Sequence, residues 1–229
     1  METATPTLET PPFGRYMDGK RKFCLFKGPI TEDSIVISCN RWRADRILDD
    51  AVRQYGVEEG TVRLPKLIEY WKAVEQNPRA RQSILPKYGE YLLHLILPAG
   101  ARTVTPGYVL KNEDGKTLRP ANRARLLNPT GIQRDRRKKI VQATVFDLPF
   151  ELREGRYDPE MLDPESGFLK EAPKSEGHYG ICFGSENRLY ASFLHWNGLV
   201  CCSWGPSVSD AGVGFRGAST GSLPNDLLE

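Results

Sequence analysis

The sequence predicts an α+β fold with two helices and a twisted antiparallel sheet. Three observations predict it. Apolar residues recur at helical spacing over residues 41–55 and again after Pro65. Beyond Tyr88 the apolar runs are short and bounded by turn-forming residues. Near the C-terminus, Asn197-Gly198 separates two aromatic-rich apolar runs, the strongest short-range hairpin signal.

The elements follow in chain order. Residues 1–12 are Thr/Pro-rich with almost nothing to bury, and read as a disordered tail ahead of a single domain over 13–229. Lys22 to Phe26 and Ser34 to Ser38 read as short strands, with Gly28-Pro29 turning between them. Asn40 offers an N-cap to a first helix in which Ala44, Ile47, Leu48, Ala51, Val52 and Tyr55 keep to one side; Gly56 ends it. Pro65 suits the first turn of a second helix, where Leu67, Ile68, Trp71 and Val74 share a face, and Asn77-Pro78 stops it. Tyr88 to Leu97 and Ile140 to Phe146 read as strands, and Tyr108 to Leu118 as a hairpin around Asp114-Gly115. Residues 147–178 are rich in Pro, Gly and acids with little periodicity, and read as a long surface loop.

Composition narrows the class. Hydrophobic residues at 39% and charged residues at 27% of 229 support a sizeable core, and make fibrous or fully disordered classes a poor fit. Lys plus Arg number 32 against 29 acids, and a net charge of +3 does not by itself imply nucleic acid. No run approaches the ~20 apolar residues that span a bilayer, so membrane insertion is not expected. The N-terminus lacks the basic start and apolar stretch expected of a secretion signal, and the location stays open between virion-associated and cytoplasmic. Cys24, Cys39, Cys182, Cys201 and Cys202 form an odd set, read as reduced thiols. No Cys-x-x-Cys or His-x-x-x-His pair exists, so a structural zinc is not expected.

A two-residue turn at Asn197-Gly198 would pair Trp196 with Leu199, Leu194 with Cys201, Ser192 with Ser203 and Tyr190 with Gly205. Directly paired residues share a face of a sheet. One face then holds Tyr190, Ser192, Leu194, Cys201 and Ser203; the other holds Phe193, His195, Cys202 and Trp204. Neither face is plainly polar. The pair is either buried on both sides, or buried on one side with a mixed aromatic recognition surface on the other.

Three features resemble C-type lectin folds of the formylglycine-generating-enzyme and retroelement-diversified branch. Arg63-Leu64-Pro65 followed by Glu69, Tyr70 and Trp71 is similar to the family's "R-L-P-t-x-x-E-W" lead into its second helix, with Lys66 in place of the Thr and the Trp one residue late. The preceding amphipathic helix sits where the family has its first. Gly214-Phe215-Arg216 looks like the "G-F-R" that closes the last strand. The tail from Gly205 to Gly217 is similar to the variable region of phage receptor-binding proteins diversified by retroelements. That register implies variable, ligand-contacting positions at Cys201, Ser203, Trp204, Val208, Asp210, Gly212 and Val213, with Tyr190, Ser192 and Leu194 added. Trp204 falls on the other face unless the strand bulges. Residues 100–178 match no part of the family and read as an insertion.

The resemblance implies a non-enzymatic binding protein whose partner is a protein or other macromolecule on a host or neighbouring cell; a homo-oligomer fits the same reading. The enzyme branch needs two cysteines in one groove, whereas Cys201 and Cys202 are adjacent and point to opposite faces. His94 lies in an apolar strand and reads as a satisfied core residue. The family's calcium-binding triplets are missing, so no metal and no cofactor are expected. The alternative is nucleic acid, through the basic stretch Arg119, Arg123, Arg125, Arg134, Arg136, Arg137, Lys138 and Lys139.

Overall fold

A computed structural model describes residues 15–18, 21–24, 40–42, 44–46, 48–49, 62–76, 78–81, 85, 89–101, 104–105, 108–135, 138–195, 197–207, 213–215 and 218–219. The predicted tail over 1–12 and the predicted strand Ser34 to Ser38 lie outside the described residues. The fold is mixed α/β with a mostly sheet core.

Strands β1 (Arg15–Asp18) and β2 (Arg21–Cys24) form a small antiparallel ribbon. Helix α1 is described at positions 41–42, 44–46 and 48–49. A two-residue strand β3 (Val62–Arg63) leads to α2 (Leu67–Gln76). The main sheet uses β4 (Gly89–Leu97), β5 (Val104–Thr105), β6 (Tyr108–Lys111), β7 (Arg125–Asp135) and β8 (Lys138–Asp147). It continues with β9 (Gly155–Tyr157), β10 (Tyr179–Phe183), β11 (Tyr190–Leu194), β12 (Val200–Trp204) and β13 (Val213–Gly214). Strand β14 (Ala218–Ser219) pairs with β3.

The order across this ten-stranded sheet is β5-β6-β8-β7-β4-β11-β12-β10-β9, with β13 beside the start of β4. The sheet is not wholly antiparallel: β6 with β8, β10 with β12 and β13 with β4 run parallel. Among the described residues, a core lies on each of its faces. The first takes Trp42, Ala44 and Leu48 from α1 with Leu93, Leu95 and Phe193 from the sheet. The second takes Leu67, Tyr70 and Trp71 from α2 with Leu92, Tyr190 and Leu194. Such a sheet has no solvent face at its centre, and β4 is buried at all nine positions.

The segment 147–178 is not a surface loop. It contributes β9 and buries Tyr157, Met161, Leu162, Phe168 and Leu169 in the second core. Its apolar residues are spaced irregularly because a 3-10 turn at Pro159–Met161 and isolated bridges position them, not a continuous helix or strand. Strand β7 falls within the basic stretch. Pro129 interrupts its pattern, and the register slips between Pro129 and Gly131, as a bulge must where a ladder donor is missing.

A second slip lies at the sheet centre. Ala191 faces Leu95 but Phe193 faces Tyr91, so β4 carries two extra residues there. Its displaced carbonyls are capped by the fully buried Arg41, which donates to Leu92 O at 2.6 Å and Leu93 O at 2.7 Å. Asp45, one helical turn on, holds the guanidinium at 3.0 Å. Ser192 Oγ donates to His94 O at 2.7 Å. A buried cation is tolerable here because its donors have partners.

Candidate functional site

The β11–β12 hairpin forms, with a three-residue turn. His195 N–H donates to Leu199 O at 2.9 Å, and Gly198 N–H to His195 O at 2.9 Å. Gly198 sits at φ 81°, and a Cβ there would lie 2.5 Å from the Tyr179 ring. The third turn residue moves the register by one. Leu194 faces Val200 and Phe193 faces Cys201. A one-residue shift changes which side chains share a face. Tyr190 and Leu194 therefore enter the second core, and Cys201 enters the first.

The expected single recognition face is not what the hairpin makes. Tyr190, Ser192 and Leu194 are fully buried, because β11 is flanked by β4 and β12 with a core on each side. Cys201 is 9% exposed and Val213 is 2% exposed, the latter held beside Gly89 by β13. Val208, Asp210 and Gly212 lie outside the described residues. Ser203 and Trp204 are half-buried. Trp204 reaches the Cys201 side because β12 bulges: Ala191 pairs with Trp204 while Phe193 pairs with Cys201. Its ring lies 5.0 Å from that of Phe193, which lies 5.2 Å from His195.

A neighbour that the chain order hides completes this edge. Strand β10 runs parallel to β12 and sets Cys182 directly against Cys201. The two Sγ atoms are 2.9 Å apart. Cys182 is half-buried; with Cys182 ionised, the shared proton sits on Cys201, and that hydrogen bond lowers the Cys182 thiol to about 7 against the opposing effect of burial. The same coupling, with burial second, raises Cys201. Cys202, on the opposite face, is raised well above the usual thiol range by burial. The opposite facing of Cys201 and Cys202 holds, yet a two-cysteine site exists through Cys182. The one sequence signal for it was the shared β-forming character of 179–183 and 200–204; their parallel pairing is a tertiary fact.

His94 is a satisfied core residue. It accepts from Leu67 N–H through Nε2 at 3.1 Å, so Nδ1–H donates to Asn128 Oδ1 at 2.8 Å. Burial lowers its pKa to about 3 and keeps it neutral. The Arg63-Leu64-Pro65…Glu69 motif is mechanical. Arg63 forks onto Glu69 at 2.6 and 3.1 Å, and Glu69 accepts the Lys66 N–H at 2.8 Å, tying down the start of α2.

The basic stretch is partly occupied within the molecule. Arg125 pairs with Asp147 at 3.0 Å, and Lys139 donates to the Tyr108 hydroxyl at 2.9 Å while covering its ring. Arg119 and Arg123 are exposed. The side chains of Arg134 to Lys138 lie outside the described residues. Among the described residues, no group of three or more His, Cys, Asp and Glu could hold a metal, and no helix is long and apolar enough to cross a membrane. No family model matches the chain, and no match emerges among curated proteins or solved structures.

Proposed function

We propose that the chain is a non-enzymatic ligand- or receptor-binding protein of C-type lectin type, diversified by a retroelement. Its recognition surface includes Ser203 and Trp204 on the rim of the hairpin, and not the length of β11; Val208, Asp210 and Gly212 join it through the resemblance alone. One observation carries the reading. Of the sequence-implied positions that are described, Ser203 and Trp204 are the ones that reach solvent to a substantial degree, and they do so from a framework buried on both sides. A half-buried Trp braced on Phe193 offers a rigid aromatic anchor with little rotamer entropy to lose. Its partner is a protein or other macromolecule on a host or neighbouring cell.

The test is in the flanking DNA. A reverse-transcriptase gene and a near-copy of codons 186–217, differing at adenines, are expected nearby. The differences should fall on codons 203, 204, 208, 210 and 212 and spare 190, 192 and 194, whose side chains pack the interior. Absence of both elements overturns the retroelement reading. Differences concentrated at 190, 192 and 194 overturn the rim assignment.

A further inference from the structure

We propose that Cys182 and Cys201 form a thiol–disulfide exchange site, with Cys182 the attacking sulfur, Cys201 the resolving one, and a small disulfide of the glutathione type as substrate. Neighbouring strands lie ~4.8 Å apart, inside the ~4.4–6.8 Å Cα window in which a disulfide closes without backbone movement. Cys182 and Cys201 are direct cross-strand partners. Their sulfurs, at 2.9 Å, need to approach by less than about 1 Å to reach bonding distance.

The two thiols differ in the way the chemistry requires. Cys182 is half-exposed at an open sheet edge: β9 stops at Gly155, opposite Ile181, so no described strand covers β10 beyond that point. It is also the more acidic thiol, lowered to about 7 by its hydrogen bond with Cys201. Cys201 is enclosed but touches Cys182, where a resolving thiol belongs. Cys202, buried on the other face, can take neither role.

The exchange balances in two steps. The Cys182 thiolate attacks one sulfur of the small disulfide, forming a mixed disulfide and releasing one thiolate, which takes up the proton that Cys182 gave off. Cys201 loses its proton and attacks Cys182 Sγ. The second small thiol leaves with that proton as the Cys182–Cys201 bond forms. Two protein thiols are oxidised and one small disulfide is reduced to two thiols. The product ties β10 to β12 across the loop that contains β11.

The experiment uses the full-length chain, reduced and then exposed to glutathione disulfide under native conditions. Free thiols are alkylated, and the digest is mapped by mass spectrometry. A Cys182–Cys201 crosslink is expected, with Cys202 unmodified and Cys182 reacting about ten-fold or more faster than Cys202. The crosslinked form should melt about 5 °C or more above the reduced form. In Cys201→Ser the reaction should halt at a glutathione adduct on Cys182; in Cys182→Ser, Cys201 should stay free. Persistence of both thiols in the native chain, or a crosslink from either of them to Cys24, Cys39 or Cys202, overturns the proposal without reference to any variant.

Discussion

Cys201 and Cys202 are joined by one peptide bond and live in different surroundings. Cys202 packs among Tyr190, Leu194 and Val200 under α2, closed off from water. Cys201 faces Cys182 near Trp204 and Leu199, where the first core thins toward the sheet edge. The difference is one of cover, not of hydrophobicity. The second face is roofed by α2 and by residues 157–169, whereas the first face at β10 and β12 carries several half-buried groups. On a strand buried from both sides, function can reach solvent only where one roof ends.

The comparison can be broken most sharply on the closed face. Tyr190→Ala removes a fully buried ring from the second core and should cost about 3–5 kcal/mol, read as a fall in the denaturant midpoint at constant slope. A loss under about 1 kcal/mol would mean that this face is open. Acid attacks the same face through His94, whose ring lies tilted against that of Phe168. Its pKa is lowered from an ordinary 6.5 to about 3, so the unfolded chain takes up the proton first. Stability should be fully present above pH ~6.5 and fall by up to about 1.4 kcal/mol per unit as the pH drops toward 3. Denaturant midpoints at pH 7 and pH 5 measure it, and a flat profile would remove His94 from a dry site.

The open face should yield smaller effects. Trp204→Ala loses a half-buried ring tilted against Phe193 and should cost about 1–2 kcal/mol. Ser203→Ala should stay within about 0.5 kcal/mol by thermal melting. A Trp204→Ala penalty equal to that of Tyr190→Ala would erase the distinction between rim and core.

A similar contrast separates the two Gly turns. Gly115 at φ 74° has open space around it, whereas at Gly198, φ 81°, an added Cβ would collide with Tyr179 and crowd Trp71. Both turns are legible as Asp-Gly and Asn-Gly, and both use three turn residues. At Asp114-Gly115 that length is inconsequential for exposed neighbours. At Asn197-Gly198 it re-pairs the buried hairpin from Leu194 and Phe193 up to the β12 bulge, beyond which Ala191 again faces Trp204. Turn chemistry specifies that the chain reverses; the number of residues in the loop depends on what the flanking strands can pack.

Local sequence determined a good deal. The periodicity of Ala44 and Leu48 and of Leu67 and Trp71 marks amphipathic helices. The apolar run from Tyr91 to Leu97, broken by His94, marks a strand, and the bond set of His94 is what a buried imidazole needs. The Arg63 to Glu69 spacing matches a clasp at the start of α2. Tertiary structure alone decided the rest: that β10 lies parallel to β12 and brings Cys182 to Cys201, that β4 and β12 bulge opposite β11, and that residues 147–178 are core. Periodicity reports which residues prefer to leave water. It carries no information on which distant strand arrives beside them, and here that pairing, set by packing on both faces of one sheet, selects the residues that remain at the surface.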